Sequence, residues 1–164
     1  HGYAVALTDA TSSYCIWGVY GTGLGCCPTQ DNLSTPDIDW SGYAWTQKII
    51  TAAGGEEKLN ATEQSGYPAT YYAVVDYETK VKAPTNSSGW FLPSIGQMLN
   101  VYQNRTSLFD GKTEVSVLQR NWYWSSSEYY HDPGSCAICV DVISGSVRYN
   151  EKLENNIVRP VLAF

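Results

Sequence analysis

The chain reads as an α+β domain. Apolar residues alternate with period two near both ends, two internal segments follow helical spacing, and the connections between them are rich in Gly, Pro and Ser. Its 164 residues fit one domain, 1–164, long enough to bury a proper core. Charged residues make up only 16%, against 13 Tyr, 6 Trp and 14 Gly. That balance favours a compact, loop-rich fold over a helical bundle or a disordered tail.

Taken in order, "GYAVALTDA" sets Tyr3, Val5 and Leu7 against small residues and predicts a first strand. The Gly-, Pro- and Ser-rich run from Cys15 to Asp37 predicts a long irregular connection. A first helix is expected over about 40–54, with Trp45, Ile49 and Ala52/Ala53 as its apolar stripe and Gly54-Gly55 as its stop. "YPATYYAVVDYET" reads as a short strand or loop wall. A second helix is expected over about 94–104. Ser94 caps it, Gln97 completes a capping box, and Ile95, Met98, Leu99 and Tyr102 line one face. "WYWSSSE" reads as a strand, and "AICVDVISGSVRYN" as a hairpin with Ser144-Gly145 at its tip. That register pairs Val142 with Val147 and Asp141 with Arg148. It turns the valines to the core and Cys139, Asp141, Arg148 and Asn150 away from it. "NIVRPVLAF" is the closing strand, with Pro160 suited to an edge or bulge. Trp90, Trp124 and Phe164 are expected in the core, Ser125–Ser127 as partners of backbone groups, and Glu128 with Arg159 as a structural pair.

The frame formed by "GYAVALTDA", "SGYAWTQKIITAAG", "GWFLPSIGQMLNVYQNR", "YWSSSE", A-x-x-V-x-V-x-x-G-x-V and "VRPVLAF" resembles a bacterial surface domain of C-type lectin-like fold. It is the domain found at the C-terminus of the collagen-like bacterial adhesin and in many bacterial lipoproteins. The resemblance implies two helices, a mixed and mostly antiparallel sheet, paired termini and a lobe of long loops. The same broad fold includes the formylglycine-generating enzymes and the variable proteins of diversity-generating retroelements.

A net charge of −6 argues against a nucleic-acid partner, which needs a basic face. No apolar run approaches the ~18 residues of a membrane span. The chain starts without an initiator Met or signal peptide, so His1 is read as the start of a trimmed or mature fragment, and the expected location is the cell surface or secreted. Five cysteines leave at least one thiol unpaired within the chain. Cys136 and Cys139 form a C-x-x-C, but on a strand positions three apart face opposite sides, so structural thiols or disulfides are favoured over zinc or redox use. His131 is the one internal histidine; beside Ser127 or Cys136 it is the only candidate general base, and neither G-x-S-x-G nor H-E-x-x-H occurs. The chain lacks the Glu-Pro-Asn and Trp-Asn-Asp signatures of calcium-dependent animal lectins, and "DPG" at 132–134 lacks supporting carboxylates. No catalytic residue, metal or cofactor is therefore expected.

What remains is recognition by exposed side chains. Diversity-generating retroelements rewrite adenines, so their variable codons do not reach Lys, Glu, Gln, Met or Trp. The 22 positions 129–150 contain none of these five types, where composition alone would place about three or four. Tyr129, Tyr130, His131, Asp132, Asp141, Arg148, Tyr149 and Asn150 are the candidate ligand-binding residues, on one exposed face within a variable segment of about 121–158. Tyr and Arg are enriched at binding hot spots. The expected partner is a protein or glycan on another cell or surface. The alternative is a fixed-sequence adhesin or pilus-tip domain that binds glycans or assembles with copies of itself.

Overall fold

The computed structural model describes residues 2–10, 14–60, 64–109, 118 and 121–164. It is an α+β fold built on two antiparallel sheets. In the smaller, β1 (Tyr3–Val5) pairs with β5 (Val161–Ala163), with Tyr3 opposite Ala163 and Val5 opposite Val161. The ladder continues irregularly where Ala6 donates to Pro160 and Ala10 to Val158. The two ends of the chain therefore lie together, as expected; His1 itself is outside the described residues. Pro160 stops the regular strand, so the closing strand is shorter than the apolar run "NIVRPVLAF". Along this first segment the small residues Ala6 and Ala10, just past β1, are buried, while Tyr3 and Leu7 are exposed.

The larger sheet has the order β2 (Trp122–Glu128), β3 (Cys136–Asp141), β4 (Val147–Glu151). β3 is central and buried on both faces. Ala137 and Cys139 join Trp17, Ile49, Tyr77, Leu92 and Trp124 in one core, while Ile138 and Val140 join Phe91, Ile95, Met98, Tyr123 and Val161 in the other. The register is shifted by two residues from the expected hairpin. Val140 faces Val147 and Cys139 faces Arg148, so Asp141 does not pair with Arg148. A shift of two keeps the alternation of faces, but Cys139, expected to point away from the core, is fully buried because both faces of β3 are covered. The shift lengthens the turn, where Gly145 adopts φ +75° and donates to the Asp141 carbonyl at 2.8 Å. A Cβ there would lie 2.3 Å from the Tyr102 ring, so any other residue would be strained and would have to displace that ring.

Helix α1 (Gly42–Ala53) ends at Gly54 in the left-handed region, and Gly55 reaches back to the Ile50 carbonyl. Its most buried face is Thr46, Ile49 and Ile50, rotated from the expected Trp45–Ala52 stripe; Ala52 is exposed. Helix α4 (Ile95–Gln103) carries the Ser94/Gln97 capping box, and α5 (Arg105–Phe109) follows it. Between α1 and α4 the strand reading of "YPATYYAVVDYET" is wrong. α2 (Pro68–Tyr71), a π turn (Tyr72–Asp76) and α3 (Tyr77–Lys80) form one continuous helical run. Pro68 opens it at a position where the missing N–H costs nothing. Ala69, Ala73 and Tyr77, spaced by four, are fully buried against the first core. The expected count of two helices is thus too low. Trp124 is buried as expected, Trp90 is half-buried, and Phe164 is 49% exposed rather than core.

Candidate functional site

The site is built at the end of β2. Two of the three serines satisfy neighbouring groups: Ser125 Oγ donates to the Ile138 carbonyl, and Ser127 Oγ accepts from the Ile95 N–H and donates to Asp39; the buried Ser126 hydroxyl has no such partner among the described residues. The serine run also carries the irregularity between Trp124 and Glu128 that shifts the pairing with β3. Glu128 is fully buried, and its partner is Lys152, not Arg159. Lys152 Nζ lies 2.6 Å from Glu128 Oε1 with neither side chain exposed. The carboxylate also accepts the Leu24 and Cys26 N–H groups at 2.9 Å, and Lys152 donates to the Thr22 carbonyl and lies over the Trp17 ring. Arg159 instead pairs with Asp9 at 2.7 Å. Asn32 completes the attachment. Its amide donates to the Glu128 carbonyl at 2.7 Å and accepts the Tyr130 N–H at 3.1 Å. The irregular connection is thereby latched to the sheet beside the candidate residues. Lys152 and Asn32 have no local sequence signature; Glu128, an acid closing an apolar and serine strand, was the one visible hint.

One residue on, the character reverses. Tyr129 and Tyr149 lie on the face shared by Ile138 and Val140, and their rings stack across β3, 4.5 Å apart and 8° from parallel. His131 stands edge-on to Tyr129 and Tyr130 at 5.5 and 5.1 Å. Its Nε2 is 3.6 Å from Asp31 Oδ2. Tyr149 is 48% and Tyr130 39% exposed. Strict alternation turns Tyr149 to the Val140 face, and it does so with no bulge after Arg148. The ring is exposed because β4 is the outer strand. The Ser34 hydroxyl and the Leu33 N–H hold the Asp31 carboxyl below its ordinary range. Partial burial, then the charge of Asp31, pushes the Tyr129 phenol up.

The other candidates lie elsewhere. Arg148 projects from the opposite face, its guanidinium 3.8 Å above the Trp122 ring. Asn150 shares that face and reaches Asn156. The two aspartates serve their own turns: Asp132 accepts the Ser135 N–H, and Asp141 accepts the Ile143 N–H and the Ser144 hydroxyl. The Ser144 bond is the main reason that the Asp141 carboxyl is held low. The eight residues therefore do not form one contiguous face. The structure brings together Tyr129, Tyr130, His131 and Tyr149 and adds Asp31, while Arg148 and Asn150 look the other way.

All five cysteines are free thiols. Cys136 and Cys139 fall on opposite sides of β3, as their spacing requires. Burial pushes Cys15, Cys26 and Cys139 up to about 12, where a thiol is a poor nucleophile at neutral pH. Among the described residues, no group of three or more His, Cys, Asp or Glu is placed to hold a metal ion, and no helix is long and apolar enough to cross a membrane.

No known protein family and no curated protein sequence matches the chain. Among solved structures it is similar to a fimbrial protein from Bacteroides ovatus, with a TM-score of 0.72 at 15% identity over 100% of this chain and 36% of that one. The chain spans about a third of that protein's length and shares its fold over that part.

Proposed function

We propose that this chain is a non-catalytic adhesion domain of a bacterial surface or fimbrial-type protein, recognising a protein or glycan ligand through the tyrosine edge of its outer hairpin. The observation that carries this reading is the stack of exposed Tyr149 on half-buried Tyr129, flanked by Tyr130 and His131. Stacked rings on a rigid strand offer large amphipathic contact area and lose little freedom on binding. The latch of Glu128, Lys152 and Asn32 supplies the rigidity. The fold shared with a fimbrial protein supports the surface setting, and the net charge of −6 disfavours nucleic acid and sulfated glycans as ligands. In finer terms the domain is read as C-type lectin-like, with the hairpin as its recognition element. Labelled domain is expected to adhere to bacterial or epithelial cell surfaces in flow cytometry. Adhesion that persists after Tyr130, Tyr149 and His131 are all replaced by Ala would sink the proposal.

A second reading, diversification of the hairpin by a retroelement, is favoured by the composition of positions 129–150. The buried Glu128–Lys152 pair adds to it, because it flanks that window closely with two residue types such codons do not reach. Sequencing the DNA beside the gene tests this: without a reverse transcriptase gene and a near-copy template repeat, the fixed-sequence adhesin stands alone.

A further inference from the structure

A concave site lies away from the hairpin and shares no residue with the tyrosine cluster. It is a groove of about 300 Å³ between β1 and the helices α4 and α5. Tyr3 and Trp40 form one wall, with ring centroids 6.0 Å apart and planes 43° from parallel. Both are large apolar side chains left exposed, at 54% and 43%. They are not loose. Tyr3 sits in the β1–β5 ladder, and the Trp40 indole donates to the Asp37 carbonyl at 2.7 Å. The facing wall is a stripe of amides and a hydroxyl, Asn100, Asn104 and Ser107. The Asn104 amide nitrogen and the Ser107 hydroxyl donate to backbone carbonyls within this stretch. The Asn104 amide oxygen and the exposed Asn100 amide are left to meet a ligand. None of the described residues lining the groove is charged, although the chain carries a net −6.

We infer that this groove binds a neutral oligosaccharide. A pyranose ring has an apolar face of C–H groups and a rim of hydroxyls that both donate and accept. Tilted, fixed aromatic rings match the face. Amides, each a donor and an acceptor, match the rim. The described lining offers no charged partner to a sialylated, uronic or phosphorylated ligand, which favours a neutral one. The competing occupant is an extended segment of a second copy adding to the open edge of β1, but three residues of edge are short for strand addition.

The test is titration of the isotope-labelled domain with neutral tetraoses of glucose, mannose, xylose and N-acetylglucosamine, with sialyllactose as the charged control. At least one neutral sugar is expected to shift the Trp40 indole resonance and the Asn100 and Asn104 side-chain amides, equally at low and high salt. Trp40→Ala is expected to weaken that binding about tenfold or more. Asn100→Ala, at an exposed helix position, should weaken it with the fold's spectrum intact, which guards against misfolding of the tryptophan variant. Tyr149→Ala should leave it unchanged, which separates this site from the hairpin. The inference is overturned if no neutral sugar moves the Trp40 signal, if sialyllactose binds as well, or if binding is lost in Tyr149→Ala. Concentration-dependent shifts of the Tyr3 and Val5 amides without sugar would overturn it in favour of a second copy of the chain.

Discussion

Glu128 and Tyr130 are two residues apart, yet one is fully buried and the other 39% exposed. Across the hairpin Lys152 and Tyr149 repeat the contrast, at 0% and 48%. The inward side of this corner is an ion pair closed by backbone amides and a tryptophan ring; the outward side is a row of aromatic rings packed chiefly on one another. At the first pair the cause is the end of the strand: β2 stops at Glu128 and the chain turns outward at Tyr130. At the second it is alternation, since Tyr149 and Lys152 are an odd number of positions apart and take opposite faces. The comparison predicts that substitutions on the inward side cost stability, and that those on the outward side cost binding alone.

The largest expected effect is at Lys152. Lys152→Met leaves the Glu128 carboxylate buried without its counter-charge, a loss of about 3–5 kcal/mol, or a fall in Tm of roughly 10 °C at this chain length. Adding Glu128→Gln to it should recover much of that loss in thermal unfolding. A single variant that unfolds like the parent would break the contrast at its buried end. Asn32→Ala comes next, at about 1–3 kcal/mol, because it strips a partner from the Glu128 carbonyl and the Tyr130 N–H together.

The elements legible in the sequence are those whose cause is local. The Ser94/Gln97 box starts α4 by bonds across three residues, and Gly54 stops α1 because its φ of +87° suits no other residue well. The pairing of the termini was implied by the family resemblance that the two end runs help to carry. The helical run from Pro68 was hidden by its own side chains. Tyr71, Tyr72, Val74 and Val75 favour strands, and the deciding signal was the quieter spacing of Ala69, Ala73 and Tyr77. The hairpin register was misread by two because the Ser144-Gly145 signal marks the tip and not the length of the turn. At the candidate site Tyr129, Tyr130, His131 and Tyr149 were legible as a cluster of large polar rings. Asp31, Asn32 and Lys152 were not, since each arrives from a distant segment.

Smaller effects sharpen the boundary of the displayed region. Arg148→Ala removes a guanidinium stacked on Trp122 at an exposed site, worth about 0.5–1 kcal/mol. It should leave adhesion intact, because Arg148 faces away from the tyrosine stack; loss of adhesion would extend the site around the sheet edge. The pH dependence through Asp31 is smaller still. Its carboxyl is held low in the folded state, so its contribution is present above the ordinary carboxylate range and is lost as pH falls through the lowered value. Asp31→Asn should therefore slightly lower stability at neutral pH, flatten the acid limb of a stability–pH curve, and converge with the parent at pH below the lowered value. A steeper acid limb in the variant would contradict that sign.

The most direct measurement is a paired one on a single variant, with Tyr130, His131 and Tyr149 all replaced by Ala. Thermal unfolding and cell-surface adhesion are read on the same preparation. The expected result is a Tm within a few degrees of the parent, since exposed substitutions stay near ±0.5 kcal/mol each, together with loss of adhesion. A collapse in Tm would make the tyrosine edge part of the core, and an unchanged Tm with undiminished adhesion would place recognition elsewhere on the domain.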